Sequence, residues 1–69
     1  MQDNKDTVFC ENFKKLRICR GLTIEMLSEK TGLSKTILYN YQEGKYRPTI
    51  KNLKRLTDVL ECEIKDFYK

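Results

Sequence analysis

The stretch TIEMLSEKTGLSKTILYNYQ, residues 23–42, decides the reading of this chain. It holds two short helical patterns separated by Thr31-Gly32-Leu33. Thr23 and Ser34 precede them, and both are residue types that cap helix starts, because a side-chain oxygen accepts from an otherwise unpaired N–H of the first turn. Gly32 lets the chain reverse through positive φ at little steric cost, and Leu33 fills the angle between the two helices. The first of the two runs to about Lys30, with Leu27 as its main inward residue. The second runs from Ser34 to Gln42, ending before Gly44.

Outward from this corner, the glycines and the single proline divide the rest into short helices. Upstream, Phe9, Phe13 and Leu16 recur at i, i+4 and i+7, one face of a helix from about Thr7 or Val8 to Arg20, with Asp6 or Thr7 as cap and Gly21 as stop. Downstream, the loop Glu43-Gly44-Lys45-Tyr46-Arg47-Pro48 leads to Thr49, a third capping residue. The fourth helix is read as turning Ile50, Leu53, Leu56 and Leu60 inward. A fifth short helix is expected near Glu63–Tyr68, with Ile64 and Phe67 toward the core. No segment alternates with period two. The expected fold is all-α, a compact domain of about five helices over 7–69, preceded by a flexible tail over 1–6.

Sixty-nine residues make one domain, since a second would have no core of its own. Hydrophobic residues make up 39% and charged residues 35%, which suits a folded soluble domain rather than a disordered one. No apolar run approaches the roughly 20 residues needed to span a bilayer. The polar start MQDNKD is unlike a secretory signal, so a cytoplasmic location is expected. Cys10, Cys19 and Cys62 form no CxxC pair and histidine is absent. Neither a disulfide framework nor a zinc site is expected, and no cofactor or metal. Without histidine, a metal cluster or a phosphate-binding glycine loop, no catalytic constellation can be assembled, and the chain does not read as an enzyme.

The net charge is +4, and its placement says more than its size. Between residues 35 and 55 lie Lys35, Lys45, Arg47, Lys51, Lys54 and Arg55 against Glu43 alone, a net of +5, so the remainder sums to −1. One basic stretch of this kind suits a surface facing a polyanion, although lysine-rich solvated helix faces give the same count.

A short turn containing glycine between two helices is also the helix-turn-helix signature. Placed at about 100° per residue, the third helix turns Leu38 and Tyr41 inward with Ile37 beside them. Lys35, Thr36, Tyr39, Asn40 and Glu43 fall on the opposite side. Lysine can donate to guanine O6 and N7, asparagine can pair with adenine N6 and N7, and a threonine methyl can pack on a thymine methyl. The competing reading is an ordinary solvent face with a stray tyrosine. The basic loop Lys45, Tyr46, Arg47 and the helix starts at Thr23, Ser34 and Thr49 add phosphate-binding capacity.

From Phe9 to Tyr68 the sequence resembles the lambda-repressor-like, Xre-type helix-turn-helix family of bacteria and phages. The matching pieces are FKKLRICRGLT at 13–23, LSEKTGLSKTILYNYQEGKYRP at 27–48 and LKRLTDVLECEIKDFY at 53–68. The combination of Leu27, Gly32, Ser34, Leu38, Gly44 and Pro48 at these spacings carries the likeness. The resemblance implies a five-helix DNA-binding domain with the third helix in the major groove of double-stranded DNA. It places base reading on Lys35, Thr36, Tyr39 and Asn40, and phosphate contacts on Thr23, Ser34, Lys45, Tyr46 and Arg47.

Four positions depart from or bear on the family pattern. Ile24 stands where a phosphate-gripping glutamine is common. Gln42 stands where a glutamate usually pairs with the arginine that is here Arg17, and neighbouring Glu43 is a candidate substitute. Ser28 occupies the usual small position after Leu27. Glu61 replaces a glycine, so that corner must turn without one. Ile18, Ile24 and Met26 are apolar where the family is mostly polar; they either cover one another or form a patch for a protein partner. The leading functional expectation is a sequence-specific transcriptional regulator binding a two-fold operator as a homodimer through its C-terminal helix, with Ile64, Phe67 and Tyr68 in the contact. The alternative is a protein-interaction module, of antitoxin or anti-repressor type, in which DNA binding is secondary.

Overall fold

The computed structural model describes residues 7–69. The expected tail over 1–6, and Asp6 as a cap, lie outside what is described, and Thr7 is the first residue of α1. Four α-helices follow one another: α1 (Thr7–Cys19), α2 (Ile24–Thr31), α3 (Lys35–Gln42) and α4 (Ile50–Leu60). The fifth element is a 3-10 helix, η1 (Ile64–Tyr68), rather than an α-helix. So short a piece offers few i to i+4 bonds, and the tighter i to i+3 pattern is common in segments of this length. The described residues contain no strand, in keeping with the all-α expectation.

The caps form as the sequence implies. Thr23 Oγ1 accepts from Met26 N at 3.1 Å, Ser34 Oγ from Ile37 N at 3.1 Å and Thr49 Oγ1 from Asn52 N at 3.2 Å. Gly21, Gly32 and Gly44 all take positive φ. Gly32 at φ 81° ends α2, and its N–H donates to Ser28 O.

α1 packs on η1 and α3, α2 packs on α3 and α4, and α4 closes on η1. Phe9, Phe13, Leu27, Leu38, Leu56, Leu60 and Phe67 are fully buried between them. Phe9 is the hub of an aromatic cluster, with ring centroids 5.8 Å from Phe13, 6.1 Å from Tyr41, 5.1 Å from Phe67 and 5.8 Å from Tyr68. Truncating such a ring to alanine costs about 3–5 kcal/mol.

Ile50 departs from its expected inward position, and Ile24 separates from Ile18 and Met26. Ile50 is 61% exposed. Successive steps of three residues drift by about 60° around a helix, so Ile50 lies about 90° from the centre of the Leu53, Leu56 and Leu60 face. Ile24, by contrast, is buried in the core. Ile24, Leu27 and Thr31 stand at i, i+3 and i+7, and all three are buried.

The corner after α4 turns without glycine, as the sequence requires. Glu61 adopts φ 56° and ψ 51°, the one positive-φ non-glycine residue among those described. Arg20, just past the end of α1, holds it there. Its Nε donates to Leu60 O at 2.9 Å and its Nη2 to Glu61 O at 3.2 Å, while Nη1 lies 3.2 Å from Glu61 Oε1.

Candidate nucleic-acid interface

The corner between α2 and α3 is fixed by a set of short side-chain bonds. Ser28 Oγ donates to Leu33 O at 2.6 Å. Thr31 Oγ1 donates to Leu27 O at 2.7 Å and accepts from Leu33 N at 3.1 Å. Arg55 Nη1, reaching over from α4, donates to Thr31 O at 3.2 Å. A Cβ on Gly32 would sit 3.3 Å from that same nitrogen, on a backbone that disfavours any side chain. With Leu33 buried beneath, α3 leaves α2 at a set angle. Sequence assigns Ser28 a size and Arg55 a charge; the Ser28 bond closes within the corner itself, whereas the Arg55 bond comes from the tertiary fold and has no local signature.

α3 stands on Leu38 and Tyr41, both buried. The Tyr41 hydroxyl accepts from Asn52 Nδ2 of α4 at 2.8 Å. The opposite side exposes Lys35, Thr36 and Tyr39, with Asn40 half-buried at its edge. Among the described residues, the Thr36 hydroxyl, the Tyr39 hydroxyl and the Asn40 amide make no hydrogen bond, so their donors and acceptors are uncommitted. Lys35 is different: its Nζ lies 3.9 Å from Glu25 Oε2 of α2. Nothing in the local sequence singles out Glu25, although the helix-turn-helix geometry brings the first turn of α2 beside the start of α3.

The residues expected at phosphates surround this face. Thr23 and Ser34 stand at the starts of α2 and α3, each with its oxygen engaged as a cap acceptor and its hydroxyl hydrogen left to donate. Lys45, Tyr46 and Arg47 are exposed on the loop after α3. That loop is shaped by Gly44 N donating to Tyr41 O and Lys45 N donating to Asn40 O. Lys45 Nζ pairs with Glu43 Oε1 at 3.3 Å.

The support from α1 is present in weakened form. Arg17 Nη2 donates to Gln42 Oε1 at 2.9 Å and Nη1 to Leu22 O at 2.8 Å. Its Nε is buried with no hydrogen-bond partner among the described residues. A carboxylate offers two oxygens to a guanidinium edge, whereas an amide offers one. Glu43 does not compensate, because it turns to Lys45.

The apolar trio does not form a patch. Ile24 lies in the core, while Ile18 and Met26 remain 61% and 41% exposed. The C-terminal contact surface also shrinks, since Phe67 is fully buried and Ile64 partly so, leaving Tyr68 as its main exposed apolar group. Among the described residues no group of three or more His, Cys, Asp or Glu could hold a metal ion, and no helix is long and apolar enough to cross a membrane.

Residues 13–67 match the family model HTH_3, described as helix-turn-helix. The chain belongs to this family. The HTH_3 fold is equally plain in three solved structures. An HTH_3 family transcriptional regulator from Vibrio cholerae superposes with a TM-score of 0.83 at 30% identity, covering 91% of this chain and 35% of that one. The chain therefore spans about a third of that regulator's length. The restriction-modification controller protein C.AhdI from Aeromonas hydrophila gives 0.84 at 22% identity, covering 90% of this chain and 94% of that one. A single-site mutant of the controller protein C.Esp1396I gives 0.83 at 26% identity, covering 99% and 86%. No curated protein matches the sequence significantly.

Proposed function

We propose that this HTH_3 domain is a sequence-specific transcriptional regulator that inserts α3 into the major groove of a two-fold operator. The observation that carries the reading is the outer face of α3. Thr36, Tyr39 and Asn40 present uncommitted polar groups there, on a helix whose angle is set by the locked corner at Thr31–Leu33. Lys35 and Asn40 supply the donors and acceptors that distinguish guanine and adenine edges, and the Thr36 methyl suits thymine. Thr23, Ser34, Lys45, Tyr46 and Arg47 set register on the phosphates. The likeness to a transcriptional regulator and to controller proteins supports the same assignment. Two copies related by a two-fold axis would read half-sites about one helical turn apart, with Tyr68 and the edge of Ile64 available to the contact. The alternative, a protein-interaction module, loses buried Ile24 from its candidate surface and is left with Ile18, Met26 and Tyr68, while the missing phosphate-gripping glutamine at position 24 still speaks for it.

Selection of duplexes from a random library by the purified protein tests the reading. A single enriched palindromic motif is expected; an unenriched library defeats it. On the enriched duplex, Asn40→Ala costs about 1–3 kcal/mol and relaxes choice at one base pair, whereas Arg47→Ala weakens all sequences alike. Sedimentation showing only monomer, both free and on that duplex, removes the dimer.

A further inference from the structure

The charge around α3 is balanced at both ends. Lys35 is the only charged residue within the helix, and its ammonium has Glu25 beside it at 3.9 Å. Just past the other end, Lys45 is paired with Glu43 at 3.3 Å. Elsewhere the basic stretch is not balanced in this way: Lys51 and Lys54 on α4 have no ion-pair partner among the described residues. Both pairs at α3 are largely exposed, with side-chain exposures of 57% and 77% for Lys35 and Glu25, and 63% and 56% for Lys45 and Glu43. Exposed pairs of this kind add little to stability. Their effect falls on whatever approaches the face.

We infer that Glu25 and Glu43 are specificity-determining residues, which offset the charge of Lys35 on the reading face and of Lys45 on the loop beside it, so that neither gains much from the phosphates of an unmatched duplex. The inference rests on the DNA-reading role proposed above. A free lysine that neutralises a phosphate releases condensed counterions, which favours any duplex regardless of sequence. A neighbouring carboxylate lowers the local net charge, so fewer counterions are released, and it repels a phosphate that slides across. Each ammonium keeps its directional donors, so a guanine edge at Lys35, or a phosphate seated in register at Lys45, is still recognised. The Glu25 carboxylate, acceptor-only, is matched by a base amino group such as cytosine N4 and by nothing on the backbone.

The test uses the full chain, the duplex enriched from the library, and a scrambled duplex of the same composition, each titrated across a salt series. Glu25→Gln and Glu43→Gln are each expected to steepen the log affinity against log salt slope on the scrambled duplex by about 0.9. Each is also expected to lower the ratio of enriched to scrambled affinity several-fold. Glu25→Asp keeps the charge and should keep the wild-type ratio. Lys35→Gln serves as the reference for the underlying reading. If Lys35→Gln lowers the ratio while both glutamine variants leave slope and ratio unchanged, the inference is wrong and the DNA-reading role stands. The inference fails equally if Glu25→Asp behaves like Glu25→Gln. If Lys35→Gln also changes nothing on either duplex, Lys35 does not read DNA and the inference falls, while the enriched motif still carries the reading role of α3.

Discussion

Arg17 shows how one residue can be placed well and satisfied poorly. The guanidinium reaches Gln42 and Leu22 O, and the remaining Nε is left without a partner. Gln42→Glu supplies the missing oxygen and a charge, so unfolding free energy should rise by about 1–2 kcal/mol, read from the urea midpoint at neutral pH. An unchanged or lower midpoint would show that the buried Nε is already satisfied. Arg20 has the opposite character, since one side chain serves two carbonyls and a carboxylate at the Glu61 corner. Arg20→Ala should cost about 1–2 kcal/mol. Arg20→Lys should recover less than half of that, because a point charge cannot replace a planar fork. Neither arginine's bonds are legible in neighbouring sequence. Family resemblance points to Arg17, and nothing in the sequence points to Arg20, whose partners lie about 40 positions away.

At the scale of elements, the helices and their limits are legible because the determinants are local. Thr23, Ser34 and Thr49 each cap the helix they precede, and Gly32 ends α2 in the left-handed region. Ser34→Ala should therefore cost about 1 kcal/mol of stability. If Ser34 also meets a phosphate, that variant should weaken binding to enriched and scrambled duplexes by the same factor. The exposed face of α3 follows from helical phase, and Lys35, Thr36 and Tyr39 are exposed as that phase implies, with Asn40 at the edge. Expectation and structure part where spacing is a poor guide to phase. A spacing of three suggests an inward Ile50, although repeated steps of three rotate away from the core. Family habit suggests a surface Ile24, although its own spacing to Leu27 and Thr31 marks a buried face. Glu25 has no local signature because its partner lies on another helix, and only the angle between α2 and α3 brings them together.

At the scale of the whole molecule, its last element contributes one acid-sensitive interaction. Asp66 has its carboxyl held below the ordinary carboxylate range, first by the Glu63 N–H that donates to it and then by Lys69. A depressed folded-state value means the stabilisation is fully present above the unfolded pKa and is lost as pH falls through the folded one. The urea midpoint should accordingly drop as the solution is acidified below the usual aspartate range, and Asp66→Asn should flatten that drop. An acid limb unaltered by the substitution would place the loss elsewhere. The same element joins the two ends of the described chain. Asn12 Nδ2 donates to Phe67 O across 55 positions of sequence, and the Phe67 ring closes over Phe9. Most of the other helix contacts are made between segments closer along the chain, which form fast because little loop entropy opposes them. Seating η1 is therefore expected to be a late, long-range step of folding and an early one to reverse. Its reversal would open the aromatic cluster around Phe9 and leave the contacts of α2 with α3 and α4 to be lost later. In deuterium exchange the amides of 64–68 should become labelled well before those in the middle of α4.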